Sequence, residues 1–161
     1  MLVKLRKLNS EAKLPEKQTS GSAAHDLYAL TDVVIDPGVV TIVSTGISLE
    51  IPHGYKGEIF SRSGMACKGV WVANQPGKID SDYRGEIKVL LYNSTEKPFL
   101  VSSGDRIAQF ELSPVLALGF AEEDTLTETT RGEGGLGSTD RKAWNEYDSW
   151  GPAYRRDLKQ R

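Results

Sequence analysis

The 161-residue chain has one cysteine, two histidines, no long apolar run and little net charge, and each shortage removes a class of protein. Cys67 alone cannot form an internal disulfide, which excludes a disulfide-stapled scaffold. It reads as a small buried apolar residue, with no paired histidine pattern to make it a nucleophile. His25 and His53 lie far apart without Cys or His at ligand spacing, so a structural zinc site is not expected and both are placed in turns or on the surface. No early basic segment runs into an apolar stretch of signal-peptide or membrane-span length, and the expectation is a reducing, aqueous compartment without membrane association. Twenty Lys and Arg against 22 Asp and Glu leave a net charge of -2, too little positive field for stable binding to duplex nucleic acid. What remains, 39% hydrophobic and 26% charged, is the composition of an ordinary compact domain rather than of a disordered or collagen-like chain.

Between Leu2 and Phe120 the apolar residues come in short runs rich in Val, Ile, Leu and aromatics: Val33–Ile35, Val39–Leu49, Tyr55–Phe60, Gly85–Tyr92 and Ile107–Leu112. Such runs predict strands. The breaks between them carry turn chemistry, including Asp36-Pro37-Gly38, Pro52-His53-Gly54, Pro76-Gly77, Lys97-Pro98 and Ser103-Gly104-Asp105. Only Ser63–Lys68 suits a short helix, and no repeat is present, so the pattern predicts an all-β sandwich or barrel and not a βαβ fold. Charge is unevenly spread: Arg141–Arg161 carries +3 and the preceding residues -5. That last stretch also holds Trp144, Tyr147, Trp150 and Tyr154 beyond a Gly-rich run, and reads as an appendage.

The Gly-rich run Gly132-Glu133-Gly134-Gly135-Leu136-Gly137 matches a dinucleotide fingerprint by letter, but lacks the preceding strand, the following helix and the acid that the mechanism needs. A Walker loop fails because Ser138 stands where a lysine is required. Two readings remain, a solvated linker or an arm whose backbone amides, with Arg131, Ser138 and Thr139, close over phosphates. Asn74–Glu86 is the densest segment, with an amide, carboxylates and a phenol around a Pro-Gly turn; its tip exposes backbone groups able to read a base edge. As a plain surface hairpin it would need no ligand. Asp80 and Asp82 share a face if the chain is extended, whereas a turn at Ser81 separates them. Ser61-Arg62-Ser63-Gly64 opens the short helix, where the guanidinium, hydroxyls and amides either gather an anion or merely cap the helix. In Gly104-Asp105-Arg106-Ile107-Ala108-Gln109, strict alternation puts Gln109 on one face with Ile107, a setting that suggests a ligand.

In order along the chain, Gly21–Ala29, Ser61–Gly64, Asn74–Glu86, Gly104–Gln109 and Arg131–Thr139 resemble the five motifs of the trimeric dUTP diphosphatase family. The resemblance implies a distorted β-barrel or jelly-roll subunit with one short helix, assembled as a homotrimer whose active sites draw on all three chains. It implies hydrolysis of dUTP to dUMP and pyrophosphate with Mg²⁺, keeping uracil out of DNA and supplying dUMP for dTMP synthesis. Asp80 matches the general base that activates water for attack on the α-phosphorus, with Asp82 in a supporting role at most. Tyr83 matches the aromatic that leaves no room for a 2′-hydroxyl, and Asn74 with Gly77, Lys78 and Ile79 the uracil-reading hairpin. Lys88 matches a substrate contact of bacterial relatives, while Arg62, Ser63, Gly64 and Gln109 match phosphate contacts. Asp26 corresponds to an acid near the metal's hydration shell, and Arg131, Leu136, Gly137 and Ser138 to an arm that closes over the site. Residues 1–130 are then the catalytic barrel, 131–140 the arm and 141–161 an extension.

Three departures from the pattern stand out. Leu136 occupies the place of the usual Phe that stacks on uracil. Ala24 and His25 alter the first motif, and Asp140 stands where Gly commonly ends the fifth. The tail is the third, expected to pack its aromatics on a neighbouring subunit, with docking of a separate protein as the rival role. Two other functions compete: a nonenzymatic trimeric binding protein on the same scaffold, and a dCTP deaminase relative, which needs a catalytic Glu. The expected location is the cytoplasm, or the nucleus or a host cell for a eukaryotic or viral source.

Overall fold

The computed structural model describes residues 2–135 and 138. Its described residues form eleven strands and one short helix and fall into two units that divide between residues 118 and 119. The strands, all in the first unit, are β1 (Lys4–Lys7), β2 (His25–Tyr28), β3 (Val33–Ile35), β4 (Val40–Ser44), β5 (Ile47–Glu50), β6 (Tyr55–Phe60), β7 (Val70–Val72), β8 (Gly77–Ile79), β9 (Lys88–Asn93), β10 (Phe99–Val101) and β11 (Arg106–Pro114). The helix α1 covers Ser63–Ala66. All pairs are antiparallel: a four-stranded sheet in the order β2-β11-β6-β8, a three-stranded sheet β4-β9-β7, and the ribbons β1-β5 and β3-β10. This is the all-β architecture with one short helix that the run-and-turn pattern predicts.

The run Val39–Leu49 divides into two strands because Gly46 sits at φ +70 between them. A side chain there would be strained by that φ and would also meet the Ala12 Cβ at 2.9 Å. Gly46 O accepts from Leu8 N at 2.7 Å, which brings the start of the chain back onto β5. Gly85–Ile87 is likewise not strand; pairing starts at Lys88, and Ile87 is anchored instead by its N–H on Ile47 O at 2.8 Å.

Leu27, Ile35, Ile47, Ile87, Leu91 and Ile107 are among the fully buried side chains that knit the sheets into one core. Burying such a side chain typically contributes about 1.5–3 kcal/mol. The polar exception, Asn93, is fully buried and fully bonded: Nδ2 donates to Ile35 O at 2.9 Å and Lys97 O at 2.8 Å, and Oδ1 accepts from Thr95 N and Thr95 Oγ1. Two residues depart from their expected surroundings. Cys67 is exposed rather than buried, because the helix turns its short C-terminal side to solvent and buries Met65. His25 is a half-buried member of β2, while His53 lies in an exposed turn as expected. In β11 the register against β2 shifts between Arg106 and Ala108, so Ile107 and Ala108 are both buried. The bulge breaks strict alternation, and the burial of Ile107 therefore says nothing about where Gln109 points.

Candidate active site

The hairpin around β8 builds a hollow of about 240 Å³. Asn74, Gly77, Lys78, Ile79, Asp80, Tyr83 and Lys88 line it together with Ile59, Val72, Glu86 and Leu90, so seven residues singled out from the sequence meet in one place. The Gln75–Pro76 peptide at the hairpin tip is cis, and Gln75 Oε1 accepts from Ser61 N at 2.7 Å, which fixes the tip to the end of β6. Gly77 is buried, and the Asn74 amide lies over it: a Cβ at Gly77 would come within 3.2 Å of Nδ2.

Past β8 the chain turns, with Tyr83 N donating to Asp80 O at 3.2 Å. The turn separates the two acids. Asp80 is exposed on the wall of the hollow, and Asp82 is carried away from it. Tyr83 folds back so that its hydroxyl donates to Glu86 O at 3.0 Å, a path that passes directly over Gly85. Any Cβ at Gly85 would collide with the tyrosine ring. Glu86, which sequence reasoning passed over, lines the hollow with its carboxylate engaged: Oε1 accepts from Gly46 N at 2.9 Å, and Oε2 is 3.7 Å from Lys88 Nζ. The lining thus carries two lysines and two carboxylates, with no net charge.

A second cluster lies at the other end of the four-stranded sheet. Asp26 is 2% exposed and takes a guanidinium on each oxygen, Arg62 Nε at 2.9 Å and Arg106 Nη1 at 3.4 Å. Arg62 Nη1 also donates to Arg106 O at 3.1 Å. With Gly64 and Lys68, the two arginines line a second hollow of about 390 Å³. Ser61 does not face an anion: its hydroxyl accepts from Val72 N at 2.8 Å. The exposed Ser63 is the first residue of the helix, which spans four residues. Gln109, half-buried, pairs with Asp26 on one side and Phe60 on the other. Arg106 is a residue the motif reading left without a role; its pairing with Asp26 spans 80 positions and leaves no local trace in the sequence.

In the second unit, Arg131 Nε donates to Gly134 O at 2.8 Å and Ser138 N to Gly135 O at 2.9 Å, a local turn within the expected arm. Leu136, Gly137 and the tail 141–161 lie outside the described residues.

A family model described as dUTPase matches residues 10–140. The chain belongs to the dUTPase family. Two of its relatives, the deoxyuridine 5'-triphosphate nucleotidohydrolases of Nautilia profundicola and Hydrogenobaculum, are each 47% identical to it; the matches cover 86% and 88% of this chain and 99% and 100% of theirs. The enzyme of that name from Helicobacter pylori is 46% identical over 86% of this chain and 97% of its own. The dUTPase of Staphylococcus bacteriophage 80alpha, solved with dUpNHpp, superposes with a TM-score of 0.74 at 24% identity, covering 85% of this chain and 97% of the phage protein. A mutant dUTPase of the S. aureus phage phi11, described with a structural Mg(II) ion, gives 0.71 at 22% identity over 78% and 98%. At these identities the structural likeness speaks for the fold. The family match stops at residue 140, so Arg141–Arg161 is additional to the dUTPase pattern.

Among the described residues no three His, Cys, Asp or Glu converge on one point, and Asp26 spends both oxygens on arginines. The described residues thus offer no protein cage, a donor set compatible with a hard cation that would bring its own phosphate and water ligands.

Proposed function

We propose that the chain hydrolyses dUTP to dUMP and pyrophosphate, with Asp80 as the general base. One observation carries the reading: in a dUTPase family member, the hairpin amide, the backbone of Gly77–Ile79, Tyr83 and a free carboxylate all line one hollow. Uracil is read by Asn74 and the hairpin backbone, Tyr83 walls off the 2′ side of the sugar, and Asp80 orients and deprotonates the water that attacks the α-phosphorus in line. Arg62, Ser63, Gly64 and Gln109 hold phosphates. Bound Mg²⁺ would be carried mainly by the triphosphate, with Asp26 the acid beside its waters, and would supply charge neutralisation.

The subunits assemble as a homotrimer with shared sites. The hollow is electroneutral, while a nucleoside triphosphate brings about four negative charges that need the arginines of the second cluster. Val40 and Ile42 on β4 and Leu100 on β10 are 48%, 61% and 64% exposed, apolar surface of the kind that subunit contacts cover. Against a deaminase relative stands the Asn74–Glu86 segment, which fits the diphosphatase pattern.

Pyrophosphate release measured in parallel on dUTP, UTP, dTTP and dCTP tests the substrate. Asp80→Asn retains size and hydrogen bonding but not the basic lone pair, so turnover of dUTP should drop about 10²- to 10⁴-fold with nucleotide binding kept. Near-normal turnover of this variant, or activity indifferent to chelation and Mg²⁺, would reject the mechanism.

A further inference from the structure

We propose that Arg84 is a positioning residue: its guanidinium clasps the turn that carries Asp80 and so aims the carboxylate at the attacking water. Arg84 Nη1 donates to Ser81 O at 2.6 Å and to Tyr83 O at 2.9 Å, the carbonyls on either side of Asp82. A tight exposed turn leaves such carbonyls to solvent, free to swing by rotation of their peptide planes. One charged donor shared between both removes that freedom, through charge-assisted bonds that are shorter and stronger than neutral ones.

Arg84 acts through the backbone and not on the nucleotide. It is absent from the wall of the hollow that holds Asp80 and Tyr83, and faces a separate hollow with Lys4, Arg6 and Glu50. Glu50 is bound there to Lys4 Nζ at 2.8 Å. That ammonium holds the Glu50 carboxyl below its usual range, with Arg84 adding a weaker pull in the same direction. The remaining ties of the loop, Tyr83 N to Asp80 O and the Tyr83 hydroxyl to Glu86 O, fix the ends of the turn; among the described residues only Arg84 bonds Ser81 O through a side chain. In-line attack tolerates little misplacement, and an error of 1 Å can cost about 10²-fold.

The inference rests on the assignment of Asp80 as general base, and the experiment keeps the two apart. Arg84→Met, Arg84→Lys and Asp80→Asn are assayed on dUTP beside the wild type, with thermal melting of each. Arg84→Met retains most of the stem but no donor; kcat should fall about 10- to 10²-fold with KM and Tm nearly unchanged. Arg84→Lys, or added guanidinium with Arg84→Ala, should recover part of the loss. An Arg84→Met kcat within twofold of wild type overturns the clasp, as does a rise in KM alone, which would mean direct substrate contact. A parallel fall of kcat and Tm also overturns it, in favour of a purely structural arginine. Full activity of Asp80→Asn overturns both assignments, whereas its loss beside a fully active Arg84→Met overturns only this one.

Discussion

Tyr83 owes its position to a residue with no side chain. Because Gly85 offers no Cβ, the ring lies back across the chain and its hydroxyl reaches Glu86 O at 3.0 Å, which turns a 44% exposed tyrosine into a fixed wall. An aromatic face has no donor or acceptor for a 2′-hydroxyl, so the proposed gate works by exclusion. Tyr83→Ala should therefore raise kcat/KM for UTP relative to dUTP, and an unchanged ratio in competition assays would remove Tyr83 from the specificity role. The residues of this hairpin were legible because they are contiguous: Asn74–Lys88 folds largely onto itself, and string order becomes spatial order. The Asp26–Arg62–Arg106 triad was not. Arg62 and Asp26 were seen as separate candidates, but their pairing and the part of Arg106 arise from strands that the sheet brings together across 36 and 80 positions. Whether Cys67 faces core or solvent was equally unreadable, since a four-residue helix has too few turns to define an apolar side.

Elements follow the same logic. β6 and the body of β11 were legible as apolar runs bounded by turn residues, and so was β3. β1, β2, β7, β8 and β10 have three or four residues each, too short for alternation to register; β2, β7 and β8 pair with longer strands, and β1 and β10 with strands of their own length. The β11 bulge shows the limit of the period-two rule, because one extra residue moved Ile107 into the core without carrying Gln109 along. The bend after β9 depends on Asn93, whose side chain makes four hydrogen bonds in full burial to hold Ile35, Thr95 and Lys97. Asn93→Ala would strand those partners, and each buried unsatisfied group costs about 1–3 kcal/mol. Stability should fall by about 3 kcal/mol, read as a lower urea midpoint at constant m-value. Asn93 touches neither hollow, so activity at temperatures where the variant remains folded should be that of the wild type.

At the scale of the molecule, the two clusters stand far apart within the single chain, a spacing that bears on the proposed shared site. β8 pairs with β6 so that Ile79 meets Gly57 and Gly77 meets Ile59; Asp80 therefore runs toward Lys56 while Arg62 lies beyond Phe60, at the opposite end. At the rise of a strand, this separates the two by about 15–20 Å. The proposed base acts at the α-phosphorus, and Arg62 would hold the neighbouring phosphates, which are directly bonded to it through oxygen. The proposed homotrimer would close the separation by setting Asp80 of one subunit against Arg62 of another. Asp80→Asn and Arg62→Ala chains should each be inactive alone, since each would lack the same part at every site. Co-refolded in equal amounts, they should regain about a quarter of wild-type turnover, because each site then draws its two parts independently from a mixed pool. Activity that stays at the level of the separate variants, in trimers shown to be mixed by differential tagging, would place both parts on one chain and contradict the shared site.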